Sequence, residues 1–121
     1  MKRSVLIAAT IAIVTSFSAP AMANNIFLQQ FGAMNAAGGA QAGFQNQIGI
    51  FQNGFGNGAI SEQNGAFNSA GVAQNGVGHS SYTIQSGLGN SVMGMQFGTG
   101  CNAAVSQNGV GNTAAFMQSC P

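Results

Sequence analysis

From Asn24 onward, residues of fixed character return every eleven positions, and within each unit they fall two apart. The units start at Asn24, Asn35, Asn46, Asn57, Asn68, His79, Asn90, Cys101 and Asn112. Two residues on stand Ile26, Ala37, Ile48, Ala59, Ala70, Ser81, Val92, Ala103 and Ala114. Two further on stand Leu28, Gly39, Ile50, Ser61, Val72, Thr83, Gly94, Val105 and Phe116. Then come Gln30, Gln41, Gln52, Gln63, Gln74, Gln85, Gln96, Gln107 and Gln118. The first eight units follow with Gly32, Gly43, Gly54, Gly65, Gly76, Gly87, Gly98 and Gly109, which are expected as turn glycines where the strand gives way to the arc. The unit is N-x-[AISV]-x-[VILFSTG]-x-Q-x-G-x-x. A spacing of two is the side-chain period of a β-strand, so the marked residues share one face. On a helix the same positions would scatter, and glycine is too frequent for one.

Two residues separate one marked series from the next, as in Phe55-Gly56, Val77-Gly78, Leu88-Gly89 and Val110-Gly111. There the spacing jumps to three, which predicts a tight arc in which glycine supplies backbone angles that other residues avoid. Each unit therefore reads as a strand of about nine residues plus a two-residue arc. A short, exact repeat means one small unit stacked on copies of itself. Two strands and two arcs close a coil of twenty-two residues, and stacked coils give two facing parallel sheets. The expected fold is an all-β solenoid. One sheet would hold the strands that begin at Asn24, Asn46, Asn68, Asn90 and Asn112, and the other those at Asn35, Asn57, His79 and Cys101. The inward residues are small, so the core should be thin.

Buried amides are costly unless paired, at roughly 1–3 kcal/mol for an unsatisfied group. A stack of equivalent coils answers this, because each Gln or Asn amide can donate to the coil on one side and accept from the other. Both rows are thus expected to form ladders along the axis. At the two ends the ladders and the strand edges stay open, and flat, uncharged edges recruit further chains.

The first residues follow another pattern. Lys2 and Arg3 precede an apolar run from Val5 to Val14, and Pro20 precedes Ala21-Met22-Ala23. That is the layout of a secretory signal peptide over residues 1–23, with cleavage after Ala23. The apolar run is far shorter than the ~20 residues that span a bilayer. The repeat domain covers residues 24–121. With the leader removed, Glu62 is the one formally charged side chain left beside His79. A chain without charge has no electrostatic footprint for nucleic acid and no polybasic membrane patch. It also lacks the self-repulsion that keeps proteins monomeric.

The strings Gln52-Asn53-Gly54-Phe55-Gly56-Asn57-Gly58-Ala59 and Gln107-Asn108-Gly109-Val110-Gly111-Asn112-Thr113-Ala114 resemble the curlin repeat, Q-x-G-x-G-N-x-A. Curlin repeats build the subunits of curli, the extracellular amyloid of bacterial biofilms. The resemblance covers essentially all of residues 24–121. It implies a secreted subunit that polymerises with itself into a cell-surface fibre (a fimbrium) serving adhesion and the biofilm matrix. It further implies a nucleator subunit and a dedicated outer-membrane export machinery as partners. Family members carry a Gly-rich segment before the first repeat, whereas here the repeat begins at Asn24. A minor, nucleating fibre component is an alternative role. So is a monomeric binding solenoid such as an ice-binding protein, but its face would need a regular row of Thr, and the outward slots here mix Ile60, Tyr82, Met93, Met95, Phe97 and Met117 with Ser, Asn and Gly.

Catalysis is not expected. General acid–base chemistry needs paired carboxylates or a partnered histidine, and Glu62 falls on an outward slot as a lone solvated charge. No lysine accompanies the glycine-rich stretches, so they are not phosphate loops. Calcium-binding β-rolls need aspartate in each repeat, and there is none. No cofactor is expected. His79 and Cys101 both replace asparagine one coil apart, and with Cys120 they fall short of the ligands a metal site wants. They read as tolerated substitutions in the asparagine row.

Two cysteines in an exported chain invite a disulfide between Cys101 and Cys120. Stacking sets Cys120 above Gly98, which faces Cys101 across the arc Thr99-Gly100. That places the two Cα atoms about 7–8 Å apart, just beyond the usual limit of about 7 Å, so a bridge requires Cys120 to shift inward. The alternative is two unpaired thiols acting as small apolar residues.

Overall fold

The computed structural model describes residues 24–121. The expected leader and its cleavage site lie outside the described residues. Nine strands follow one another: β1 (Asn25–Ala33), β2 (Ala36–Phe44), β3 (Gln47–Phe55), β4 (Gly58–Ala66), β5 (Ser69–Val77), β6 (Ser80–Leu88), β7 (Ser91–Thr99), β8 (Asn102–Val110) and β9 (Thr113–Cys120). They form two parallel sheets, ordered β1-β3-β5-β7-β9 and β2-β4-β6-β8. This is the β-solenoid expected from the period, with four and a half coils among the described residues.

Every pairing is in register with the repeat. Gln30 pairs with Gln52, Gln52 with Gln74 and Gln63 with Gln85, while Gly54 pairs with Gly76. Strand alternation puts one set of residues inside and the next outside: β3 has Ile48, Ile50 and Gln52 buried, with Gln47, Phe51 and Asn53 exposed. The two sheets contribute unequally to the interior. Gly39 of the four-stranded sheet lies against Ile26 and Ile48 of the five-stranded one, whose side chains a Cβ at Gly39 would meet at 3.3–3.4 Å. The apolar cluster is Ala37, Ile48, Ile50, Ala59, Ala70 and Val72, flanked by Ile26 and Leu28. It therefore lies in the N-terminal coils. Higher up, Thr83 donates its hydroxyl to Ser61 at 2.7 Å, and hydrogen bonding takes over part of the interior.

The arcs sit one residue later than the spacing predicts. Phe55 and Val77 close their strands, and the connecting pairs are Gly56-Asn57 and Gly78-His79. The first residue of each connection is left-handed, with φ 67° at Gly56 and 68° at Gly78. Met34, Gln45 and Phe67 hold the same conformation at φ 51–59° without being glycine, so the stack imposes it against their local preference. The arcs stack as the strands do: Gly56 N–H donates to Ala33 O at 3.0 Å and Gly78 N–H to Phe55 O at 2.9 Å.

Candidate functional site: two amide rows and the solenoid ends

The glutamines form two continuous ladders, one in each sheet. Gln30 donates to Gln52, Gln52 to Gln74, Gln74 to Gln96 and Gln96 to Gln118, at 2.7–2.9 Å. In the other sheet Gln41 donates to Gln63, Gln63 to Gln85 and Gln85 to Gln107, at 2.7–3.0 Å. The second Nε2 hydrogen crosses the core to a backbone carbonyl at the start of the preceding strand. Gln52 reaches Ala36 O and Gln74 reaches Gly58 O, both at 2.9 Å. Each glutamine from Gln41 to Gln96 thus ties its own sheet along the axis and joins it to the facing sheet. All donors point toward the C-terminal end, so their bond dipoles add along the ladder.

The asparagines behave differently from the expected amide-to-amide ladder. In Asn24, Asn35, Asn46, Asn57, Asn68 and Asn90 the Oδ1 atom accepts the backbone N–H of the residue one coil on, at 2.9–3.1 Å. The Nδ2 group donates to the carbonyl four residues back, as from Asn68 to Asn64 and from Asn112 to Asn108. It also donates to the glycine carbonyl nineteen residues ahead, as from Asn24 to Gly43 and from Asn68 to Gly87. The short asparagine side chain keeps its amide beside the backbone of the arc, and those backbone groups become its partners.

His79 occupies an asparagine slot and reproduces most of its bonding. Its Nδ1 accepts Cys101 N–H at 3.2 Å, where asparagine would use Oδ1. Its Nε2 lies 3.1 Å from Asn75 O, where asparagine would donate through Nδ2. These two partners call for the proton on Nε2. Only the bond to the glycine carbonyl ahead lacks a counterpart in the imidazole.

Cys101 takes the same slot one coil further on, and it is bonded to Cys120 with Cα atoms 5.7 Å apart. Their sequence separation of 19 matches that between each asparagine and the glycine whose carbonyl it binds. The disulfide is thus the covalent counterpart of that hydrogen bond. Cys120 also stacks on Gly98, as the repeat predicts. The 7–8 Å expected from turn and stacking distances is too long, because the asparagine slot leans along the axis toward the next coil.

Gly32, Gly43, Gly54, Gly65, Gly76, Gly87, Gly98 and Gly109, expected at turns, lie inside strands. Their φ angles run from 98° to 134°. A Cβ on Gly54 would overlap the carbonyl oxygen of Gly76 in the next coil, so close approach between coils fixes the residue.

The N-terminal ends of both glutamine ladders are unsatisfied among the described residues: Gln30 Oε1 and Gln41 Oε1 are buried without a hydrogen-bond partner there. At the opposite end Gln107 and Gln118 are the last rungs among the described residues. On the outer face Glu62 lies near Tyr82. Loss of water around the Tyr82 phenol raises its pKa above the usual range, and the Glu62 carboxylate adds to the effect by charge and by hydrogen bonding. No group of three or more His, Cys, Asp or Glu side chains able to hold a metal is found among the described residues. No helix long and apolar enough to cross a membrane is found among the described residues. Neither family models, curated proteins nor solved structures yield a match to this chain.

Proposed function

We propose that this chain is a structural subunit of an extracellular, curli-like amyloid fibre. It assembles with itself by end-to-end stacking of solenoid coils. The observation that carries this reading is the uninterrupted, in-register parallel stack, whose amide ladders end on buried, unpaired Gln30 and Gln41 oxygens. An open ladder and an open strand edge of the same polarity extend by adding more of the same. Near-absence of charge removes the repulsion that would oppose stacking. The resemblance to curlin repeats supplies the biological setting of this proposal: export across the outer membrane, a nucleating partner, and a role in adhesion and biofilm matrix.

The test is incubation of the exported protein alone at micromolar concentration, followed by electron microscopy, thioflavin fluorescence and fibre diffraction. Fibres with a meridional spacing near 4.8 Å are expected, set by the distance between strands. Protein that remains soluble and monomeric for days rejects the reading.

A further inference from the structure

We propose that each added copy docks its N-terminal face on the C-terminal face of its neighbour after a half turn about the solenoid axis. In this arrangement β1 of the incoming copy continues the sheet of β8, and its β2 continues that of β9. The inference rests on the fibre-subunit reading and specifies the interface that reading requires.

Polarity comes first. Every rung donates toward the C-terminal end, so that end offers Nε2 hydrogens on Gln107 and Gln118. The N-terminal end offers the two orphaned acceptors, Gln30 Oε1 and Gln41 Oε1. Gln41 is 3% exposed, too enclosed for water to satisfy it easily. Donor rungs therefore meet acceptor rungs only when the copies stack head to tail.

The number of strands then fixes the rotation. The nine strands of the described residues leave one sheet with five and the other with four, so the next position along the coil after β9 lies above β8. Placing an incoming β1 directly above β9 would skip that position and leave the β8 edge facing a gap one strand wide. Its backbone groups would be buried without partners. Half a turn fills the gap, pairing Gln107 with the incoming Gln30 and Gln118 with the incoming Gln41.

Side-chain size agrees. Phe116 is the bulkiest residue in its interior series, and its ring occupies the space left by Gly94 in the coil before. After a half turn, Phe116 meets the incoming Gly39, the other glycine of that series. Without rotation it would meet Leu28. Cys120 does not share the positive φ of the other residues in its slot, and its side chain is committed to Cys101, so the proposed pairing along β9 runs from Thr113 to Gln118.

The experiment mixes exported variants, each with one added cysteine, and treats their fibres with a short thiol-to-thiol linker, keeping the native disulfide oxidised. Gln29, Ser106 and Met117 are all exposed. Half-turn docking sets Gln29 of one copy beside Ser106 of the next, so Q29C with S106C gives linked dimers at least tenfold above either variant alone. Q29C with M117C stays at background. In electron micrographs of the fibres the subunit rise is about 22 Å with a half turn, against about 24 Å without rotation, from the strand spacing. Fibres in which Q29C links to M117C, or in which neither pair links, overturn the half turn and leave the fibre reading intact. Absence of fibres overturns both.

Discussion

The glutamine row at mid-strand and the asparagine row at the arcs are both buried, uncharged and repeated at one period, yet they tolerate different things. The glutamine slot is filled by glutamine in all nine units, while the asparagine slot also holds His79 and Cys101. Their partners explain the difference. A glutamine bonds to the side chains of the coils before and after it, so changing one leaves two others incomplete. An asparagine bonds to backbone groups, which are the same whatever residue follows. Any side chain that offers an acceptor and a donor in the right places can stand in. Identity is thus enforced where like meets like, and relaxed where side chain meets backbone.

The largest expected effect tests the glutamine row. Gln74→Leu keeps the size but strands the Gln52 donor, the Gln96 acceptor and the Gly58 carbonyl. At roughly 1–3 kcal/mol for each buried group left unpaired, the loss should be on the order of 3–6 kcal/mol. Denaturant unfolding measures it. A loss below about 1 kcal/mol would mean that the ladder contributes little and that the comparison of rows has no energetic content.

The disulfide gives the next test, because it replaces a hydrogen bond of the asparagine row. The double change Cys101→Asn with Cys120→Gly restores the ordinary unit. Closing a loop of this length contributes about 3 kcal/mol, and a recovered hydrogen bond returns about 0.5–1.5 kcal/mol. The double variant should therefore be about 2 kcal/mol less stable than the oxidised protein, and more stable than C120G alone. If the double variant and C120G unfold together, the restored asparagine does not engage its glycine carbonyl.

Much of this was legible in the sequence because strand alternation and coil stacking are properties of the backbone. Spacing of two sorted inward from outward residues, and the jump to three placed the arcs to within one residue. The glutamine ladder followed from equal amides stacked one coil apart. The asparagine pattern did not, since a row of amides reads alike whether it bonds to itself or to the backbone. Position beside the arc, where backbone groups lie within reach of a short side chain, was the available signal. The glycines of the Gln-x-Gly pair were legible as a fixed position but read as turn residues, whereas their cause lies in the next coil, where a Cβ at Gly54 would strike Gly76 O. Nothing local to the unit reveals that contact. The Cys101–Cys120 bridge was legible as a pairing of two cysteines in a chain expected to be exported, but its close Cα spacing was not, because that depends on the asparagine slot reaching nineteen residues ahead.

A direct comparison of the two rows places the same residue in each. Asn68→His can keep the acceptor for Asn90 N–H and the donor to Asn64 O, as His79 does for its own neighbours, and loses the bond to Gly87 O. It should cost about 1 kcal/mol, less than the roughly 1–3 kcal/mol of Asn68→Ala, which leaves the buried Asn90 N–H unpaired and also frees two carbonyls whose bonds are only part-buried. Gln74→His, by contrast, should approach the loss of Gln74→Leu, because an imidazole cannot both accept from Gln52 and reach Gln96. Thermal unfolding of the four variants in parallel decides it. Equal losses for histidine in the two slots would remove the distinction drawn here.

The smallest effect runs the exchange in reverse. His79→Asn keeps an acceptor for Cys101 N–H and a donor for Asn75 O, and it adds a donor for the carbonyl of Gly98, nineteen residues ahead. Against that gain stands the loss of ring volume: His79 is 1% exposed, and a Cβ at Gly76 would come within 2.9 Å of its Nε2, so the ring fills the space beside that glycine. A recovered hydrogen bond contributes about 0.5–1.5 kcal/mol, similar to the packing lost with a few buried ring atoms. The variant should therefore lie within about 1 kcal/mol of the parent in either direction. A destabilisation well beyond that would show that His79 holds its coil through packing that asparagine cannot supply, and that backbone partners alone do not decide what the slot accepts.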